Sequence, residues 1–242
     1  MGRTALWTAI RDTLVRDISE GHYPPGQRLP TEAQLSERFG VNRHTVRRAI
    51  ADMAEQNIVH SRRGAGVFVR HVPTPYRIGR RTRFRQNLSE AGRVPERRVL
   101  SLETRGANKQ EAGALGLGKG EPAHVYEGIS LSDGAPLALF CSVFPAARFP
   151  DLLTHLDEQG SVTKALEKQG LSDYTRKSTE ITAKAASKTH ATLLELSVGD
   201  PMLRTVAINV DTSGKPVEFG RTWFAADRVT LILGDGRIQQ VV

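Results

Sequence analysis

The chain has 242 residues, of which 39% are hydrophobic, which is enough for two domains with apolar cores. No apolar run approaches the roughly 20 residues that a membrane-spanning helix needs, and the N-terminus lacks a secretory apolar region. We therefore expect a cytoplasmic protein without a membrane partner. A single cysteine, Cys141, excludes an intrachain disulfide framework, and the 7 scattered histidines give no metal-ligand spacing. The sequence predicts no cofactor and no metal site.

The formal net charge is +8, and the excess is concentrated at the front of the chain. Residues 1–85 hold 16 arginines and no lysine against 7 acidic residues, whereas residues 86–242 hold 18 basic and 19 acidic residues. A basic segment of this kind displaces counterions from a polyanion. The front third is therefore predicted to bind nucleic acid.

An amphipathic helix is predicted over residues 4–19, followed by a loop over residues 21–30. Leu6, Ile10, Leu14 and Ile18 recur at intervals of four and form an apolar stripe. Such a stripe usually faces a core.

Two short helices joined by a glycine turn are predicted within residues 29–50. Thr31 is a candidate N-cap, and Gln34 lies three residues later at the capping-box spacing. Gly40 ends this helix, and Asn42 caps the next. The pattern is typical of a helix-turn-helix.

The second helix has an apolar face and an arginine-bearing face. Val46, Ile50 and Met53 lie on one side, while Arg43 and Arg47 are four residues apart on another. Arginine can bond guanine O6 and N7 together or grip a phosphate, and the start of a recognition helix usually meets the base edges. The alternative is an ordinary solvated basic face.

A basic hairpin is predicted next, with strands at residues 58–60 and 67–69. Gly64 and Gly66 permit positive φ, and Arg62 and Arg63 at the tip could enter a groove or touch phosphates. The alternative is a surface hairpin whose arginines only confer solubility. The candidate DNA-contacting residues are Thr31, Glu32, Asn42, Arg43, His44, Thr45, Arg47, Arg62, Arg63 and Gly64.

Two prolines within residues 71–76 forbid helix and favour an extended connector. We predict a winged helix-turn-helix domain over residues 1–71, a linker over 72–79, a second domain over 80–235 and a tail over 236–242.

The second domain contains an internal repeat. Residues 115–122 recur at 194–201, and the turn at 133–136 recurs at 213–216, so the offset between the copies is one position longer from the turn onward. Each copy is predicted to form a helix and a hairpin, so the two hairpins should pair into one antiparallel sheet with helices around it, in an α+β fold. The pseudo-symmetry favours a ligand cleft between the halves, although repetition equally suits a purely structural role.

A basic run over residues 80–88 leads into a helix that ends near Gly92, with Thr82 as its candidate N-cap. Exposed amides and arginines at one place suit an oxyanion such as phosphate or phosphonate. The alternatives are an extension of the DNA-binding surface and a solvated helix start.

A strand is predicted over residues 218–225. Alternation places Glu218, Thr222 and Phe224 on one face, and Arg221 and Trp223 on the other. Only one of these faces can line a pocket.

Residues 29–69 resemble the GntR-type winged helix-turn-helix, and residues 41–50 are most similar to its regulators of phosphonate metabolism. The later chain is similar to the UTRA effector domain of the HutC branch, including Glu121-Pro122 and residues 216–219 and 226–228. The likeness leaves only about the last ten residues unmatched. It implies a homodimeric transcription factor, usually a repressor, that binds a palindromic operator and releases it when a small metabolite enters the UTRA domain.

The resemblance also guides the choice of effector-binding candidates. Glu218 is favoured by its family position, and many relatives carry an arginine where this chain has Ala225, which leaves open whether Arg221 or Arg228 supplies that charge. The candidates are Arg81, Thr82, Arg83, Phe84, Asn87, Tyr126, Tyr174, Arg176, Glu218 and Arg221.

Three alternatives remain open. The first is an enzyme, since UTRA domains are similar in fold to chorismate lyase. The sequence contains no recognisable phosphate-binding loop or catalytic triad, and Cys141 is predicted to be a buried structural thiol without a histidine partner. A nonspecific nucleic-acid-binding protein would not need the large, nearly neutral second domain. Within the regulator class, the effector could be a sugar phosphate, an amino-acid catabolite or a fatty acid rather than a phosphonate.

Overall fold

The computed structural model describes residues 5–62 and 64–234. The chain divides into two compact units between Val72 and Pro73. Among the described residues, no helix combines the length and the apolarity needed to cross a membrane.

The first unit is a winged helix-turn-helix with one apolar core. Ile10 and Leu14 of the first helix are buried in this core, as predicted, and Ile18 packs against it. Leu6 is 59% exposed, contrary to the predicted stripe, because packing against the core begins only with Trp7. The elements are α1 (Leu6–Ser19), α2 (Glu32–Phe39), α3 (Arg43–Glu55), β1 (Val59–Arg62) and β2 (Gly66–Val69).

The second unit is built on a six-stranded antiparallel sheet with helices around it, which confirms the predicted α+β class. The strand order is β4-β5-β6-β9-β8-β7, and a separate pair is formed by β3 and β10. The elements are β3 (Thr74–Ile78), α4 (Phe84–Glu90), β4 (Pro95–Gly106), α5 (Lys109–Leu115), β5 (Pro122–Ser132), β6 (Ala135–Pro145), α6 (Leu152–Gln159), α7 (Val162–Lys168), β7 (Tyr174–Ala185), α8 (Lys188–Leu194), β8 (Pro201–Asp211), β9 (Pro216–Ala225) and β10 (Val229–Leu233).

The internal repeat is visible as two equivalent halves of the sheet. The first half is β4-α5-β5-β6 and the second is β7-α8-β8-β9, and the halves meet where β6 pairs antiparallel with β9. The capping residues of α5 and α8, Asn108 and Ser187, are separated by the same offset as Leu115 and Leu194 at the ends of these helices. The prediction that two hairpins pair into one sheet is therefore confirmed.

The structure differs from the predicted linker over residues 72–79. Residues 74–78 form β3, which pairs in parallel with β10, and Thr74 and Tyr76 are buried. The prolines keep this segment extended, as expected, but an extended segment with buried alternate side chains is a strand once a partner is available. The second unit therefore begins before residue 80, and the predicted tail over 236–242 lies outside the described residues.

Candidate DNA-binding surface and effector pocket

The turn of the helix-turn-helix is held by capping contacts. Thr31 and Gln34 form the predicted capping box of α2, and Gly40 ends this helix with a φ of 63°. The Asn42 side chain accepts a hydrogen bond from the Thr45 amide at 3.0 Å and so starts α3. Val46, which lies on the apolar face of α3 with Ile50 and Met53, is fully buried. These local predictions are confirmed.

Arg43 and Arg47 on the exposed side of α3 have different surroundings, and a third exposed arginine of this helix, Arg48, lies over the Trp7 ring. Arg47 donates to both carboxylate oxygens of Glu32 on α2, from Nε at 3.0 Å and from Nη2 at 2.7 Å. This bond is the main cause that lowers the pKa of Glu32. Arg43 forms no ion pair within the described ranges and is exposed beside His44. Of Arg43 and Arg47, Arg43 is therefore the one available to contact a base edge or a phosphate.

The wing hairpin has the predicted glycine geometry. Gly64 and Gly66 adopt φ values of 74° and 114°, and a Cβ on Gly66 would lie 2.6 Å from Arg28 Nε. Arg62 lies along the hairpin, with its guanidinium 4.8 Å from the Phe68 ring centroid and its Nε 3.1 Å from Nε2 of His60. Arg63 lies outside the described residues. The DNA contacts of the wing stay a prediction.

The second unit contains an open pocket. Its empty space, together with the solvent at its mouth, amounts to about 780 Å³. The lining combines arginines, one carboxylate and aromatic rings from both halves of the sheet and from the segment around α4. Six of the ten candidate effector-binding residues lie here: Thr82, Arg83, Phe84, Tyr174, Arg176 and Glu218.

Arg83 and Tyr174 form one wall of the pocket. The Arg83 guanidinium lies 3.7 Å from the Tyr174 ring centroid, and its Nη2 donates to the Tyr174 carbonyl oxygen at 2.9 Å. The Tyr174 hydroxyl lies 3.2 Å from Thr163 Oγ1, and burial raises its pKa. These contacts hold Arg83 in one orientation.

Glu218 is held by two neutral donors. Ser142 Oγ donates to one carboxylate oxygen and Asn209 Nδ2 donates to the other, each at 2.6 Å. Thr222 and Phe224 line the pocket beside Glu218, so the predicted alternation of this strand is confirmed.

The sequence reasoning missed Arg97 on β4. Its Nε and Nη1 are buried and have no hydrogen-bond partner among the described residues. Its guanidinium lies 4.9 Å from the Phe140 ring centroid and 5.3 Å from that of Phe84. The repeat could have identified it, because Arg97 precedes Arg176 by the same offset that relates the two halves.

Four of the candidates for effector binding lie elsewhere. Arg81 donates to Asp173 at 2.6 Å, and the Asn87 side chain is hydrogen-bonded to the backbone of Arg77. These partners hold both side chains outside the pocket lining. Tyr126 is fully buried and packs edge-on against the Phe140 ring. It therefore lies beneath the pocket wall rather than on its surface.

Arg221, the fourth, points to the opposite face of the sheet. Its Nη2 donates to Glu111 at 3.2 Å and lies 3.1 Å from Cys141 Sγ. Arg228 is buried and donates to the carbonyl oxygens of Pro136 and Glu195. Neither arginine lines the pocket, which answers the question that the sequence left open.

The start of α4 also differs from the prediction. Arg83, not Thr82, occupies the N-cap position, and its side chain makes no capping bond. The Thr82 hydroxyl instead donates to the Gly79 carbonyl oxygen at 2.9 Å, because the chain turns tightly between these two residues. Cys141 is buried, and burial raises the pKa of its thiol to about 11. This environment agrees with the predicted structural role of the thiol.

Comparison with known proteins assigns both units. Residues 6–69 match the family described as "Bacterial regulatory proteins, gntR family", and residues 90–230 match the UTRA domain. The chain belongs to the UTRA-bearing, HutC-type branch of the GntR family. This GntR regulator is 42% identical to an uncharacterized HTH-type transcriptional regulator of Rhizobium meliloti (strain 1021), covering 94% of this chain and 93% of the relative.

Two PhnF proteins are also similar. The probable transcriptional regulator PhnF of Escherichia coli (strain K12) is 33% identical, with 86% of each chain covered. The crystal structure of PhnF from Mycobacterium smegmatis superimposes with a TM-score of 0.65 at 25% identity, covering 94% of this chain and 99% of that one. Because the matched family is described as bacterial regulatory proteins and the Rhizobium and Escherichia relatives are named as transcriptional regulators, the chain is a transcriptional regulator rather than an enzyme.

Proposed function

We propose that this GntR regulator is a homodimeric, cytoplasmic repressor that binds a palindromic operator and releases it when a small organophosphorus anion enters the UTRA pocket. The observation that carries the proposal is the charge of the pocket. Among the described residues, four arginines line it, Arg83, Arg85, Arg97 and Arg176, against a single carboxylate, that of Glu218. A phosphonate is the preferred ligand, and a sugar phosphate or an amino-acid catabolite is the alternative.

The arginines explain why an oxyanion should bind there. Arg97 Nε, Arg97 Nη1 and Arg176 Nε are buried without hydrogen-bond partners among the described residues. A buried donor that lacks a partner costs about 1–3 kcal/mol, and more when it is charged. A phosphonate or phosphate group offers three acceptor oxygens that match the fork of a guanidinium. Binding such a group would remove this cost at two arginines.

The first unit supplies the operator-binding half of the proposal. Arg43, His44 and Thr45 stand in the first turn of α3, where a recognition helix meets base edges. One winged helix offers a limited contact area, so two copies on two half-sites are the usual route to useful specificity. The remaining proposed contacts are those of α2 and the wing: Thr31, Glu32, Asn42, Arg47, Arg62, Arg63 and Gly64.

Fluorescence anisotropy tests the proposal directly. The full chain is titrated onto DNA from its own upstream region and onto scrambled DNA at two salt concentrations, with phosphate, alkylphosphonates and sugar phosphates added separately. We expect tight, sequence-selective binding that a phosphorus compound relieves. Selective binding that none of the compounds relieves would refute the effector class, and binding indifferent to sequence would refute the regulator.

A pair of variants separates the two sites. Arg83→Ala should leave operator binding nearly intact and weaken release by the effector. Arg98→Ala is the matched control, because Arg98 is exposed on β4 and does not line the pocket. Loss of operator binding in Arg83→Ala, with a normal effector response, would place Arg83 on the DNA-binding side.

A further inference from the structure

Two equivalent rows of cross-strand neighbours line the effector pocket. Each row crosses three neighbouring strands of the sheet. An arginine on the outer strand, at the sheet edge, pairs with a polar residue on the middle strand, and that residue pairs with one on the inner strand. The two rows occupy equivalent positions of the internal repeat. The inner residues lie after the turn of each copy, so they are separated by one residue more than the other two pairs. The first row is Arg97, Ser130 and Ala138, and the second is Arg176, Asn209 and Glu218.

The symmetry is broken at the inner position, where Ala138 in one half corresponds to Glu218 in the other. The first row therefore carries one positive charge, whereas the second carries one charge of each sign. Of the two rows, the first is cationic and only the second presents a carboxylate, while Arg83 and Arg85 add positive charge elsewhere in the lining. A ligand with a different group at each end would bind such a pocket in one orientation.

Glu218 is not neutralised by the arginines that share its pocket. Within residues 5–62 and 64–234 its carboxylate makes no ion pair, and its hydrogen-bond donors are Ser142 and Asn209. An ionised carboxylate has about four acceptor sites, so two of them remain. A purely anionic ligand would be repelled by this group, whereas an ammonium would pair with it.

Arg97 is the arginine of the other row, the one without a carboxylate. Two of its guanidinium nitrogens are buried without a partner in the described part of the chain, and aromatic rings hold its position, with the Tyr126 centroid 5.8 Å away. Its row neighbours, Ser130 and Ala138, carry no charge. An oxyanion bound there meets no competing carboxylate within the row.

We infer that the effector is zwitterionic, with an oxyanion that binds Arg97 and an ammonium that binds Glu218. The chemical class is an aminoalkyl phosphonate or an aminoalkyl phosphate ester. The inference rests on the proposed function, since it names the ligand class of the same pocket. Arg97 acts as the anion-binding residue, and Glu218 selects for the amine.

Isothermal titration calorimetry on the full chain tests this assignment with matched probes. Aminomethyl-, 2-aminoethyl- and 3-aminopropylphosphonate are each compared with the alkylphosphonate of the same length that lacks the amine. A hydrogen bond between charged groups contributes about 1.5–3 kcal/mol, which corresponds to a preference of about tenfold to a hundredfold for the amine at the fitting length. 2-Aminoethyl phosphate then distinguishes a phosphate ester from a phosphonate.

Variants assign the two ends. Glu218→Gln should reduce the preference for the amine to less than about threefold while leaving the affinity for the alkylphosphonate unchanged or higher. Arg97→Gln should weaken both members of a pair by about tenfold or more and preserve their ratio. Glu180→Gln and Arg98→Gln are the matched controls, because both residues are exposed on edge strands outside the pocket.

The outcomes separate this inference from the proposed function. Equal binding of amine and amine-free probes by the unmodified protein would overturn the zwitterion and leave an organophosphorus effector in place. An equal loss of both probes in Glu218→Gln would also overturn it, because Glu218 would then act on pocket shape alone. If no phosphorus compound binds or releases operator DNA, both the inference and the proposed effector class fail.

Discussion

Two arginine–glutamate pairs have the same hydrogen-bond distances and should differ greatly in their contribution to stability. Glu32 accepts from Arg47 at 2.7 and 3.0 Å, and Glu111 accepts from Arg105 at 2.7 and 3.0 Å. The side chains of Glu32 and Arg47 are 35% and 61% exposed, whereas that of Glu111 is 0% exposed. Burial, not distance, should therefore decide what each carboxylate contributes to the free energy of unfolding.

Glu111→Gln should destabilise the UTRA domain by about 3–5 kcal/mol, the usual cost of breaking a buried pair on one side. The carboxylate also accepts from the Asn108 amide at 3.0 Å and from Arg221, so its loss leaves partly buried guanidinium groups without their acceptor. Glu32→Gln should change stability by only about 0–1 kcal/mol, as for other exposed pairs.

Differential scanning calorimetry of the full chain without DNA measures both effects. In a domain of this size, 1 kcal/mol corresponds to about 2–4 °C in Tm, so Glu111→Gln should lower Tm by about 6–20 °C. The Arg105 hydrogen bonds lower the pKa of Glu111 from its ordinary 4.5. The stabilisation is thus present above pH 4.5 and is lost as the pH falls through the folded pKa. Equal Tm shifts in the two variants would refute this reasoning.

Other residues give predictions that can be checked separately. Arg43→Ala should lower operator affinity by about 1–3 kcal/mol and relax discrimination at one base position in an anisotropy series of single-base variants, whereas a uniform loss over all sequences would make Arg43 a phosphate contact. Cys141 should resist maleimide at pH 8 in the native state, since burial raises the pKa of its thiol to about 11, and rapid labelling would contradict this burial. Burial lowers the pKa of His124, whose Nε2 donates to the Phe149 carbonyl oxygen, so in an NMR titration its ring should take up a proton at a lower pH than an unburied histidine does. The unfolded state then binds the extra proton, and stability should fall as the pH falls below 6.5.

The parts of the fold that depend on neighbouring residues could be predicted from the sequence. Thr31, Gly40 and Asn42 fix the ends of two helices through bonds and backbone angles within a few residues, and the structure has each of them in the predicted role. The internal repeat could also be recognised in the sequence, because its motifs recur at a nearly constant offset. It predicted the pairing of the hairpins, whereas the strict alternation of residues 218–225 predicted which side chains share a face of β9 with Glu218.

The differences between the sequence analysis and the structure concern residues whose partners lie far away in the chain. Residues 74–78 look like a linker because the strand with which they pair, residues 229–233, comes only at the end of the second unit. Arg81 and Arg221 carry the charge expected of an anion site, but their partners, Asp173 and Glu111, come close only on folding. Local patterns thus predicted the extended backbone and the charge of these residues, but not the residues that they contact.

The arginine excess of residues 1–85 is divided between the two units, whose proposed sites should respond differently to salt. Residues 1–72 hold 11 of these arginines against 7 acidic residues, whereas residues 73–85 hold 5 arginines and no acidic residue, and these belong to the second unit. DNA binding by exposed arginines releases counterions and should weaken steeply with salt. Buried guanidinium nitrogens such as Arg97 Nε are screened much less.

Raising the salt concentration from about 50 to about 200 mM should therefore weaken operator binding by orders of magnitude and effector binding by less than about tenfold. Anisotropy for DNA and calorimetry for the effector, each measured at four salt concentrations, give the two slopes of log affinity against log salt. Arg62→Ala should reduce the DNA slope by up to about one unit and leave the effector slope unchanged. Parallel slopes for DNA and effector would mean that the effector binds at the exposed basic surface, and that the pocket arginines are not its site.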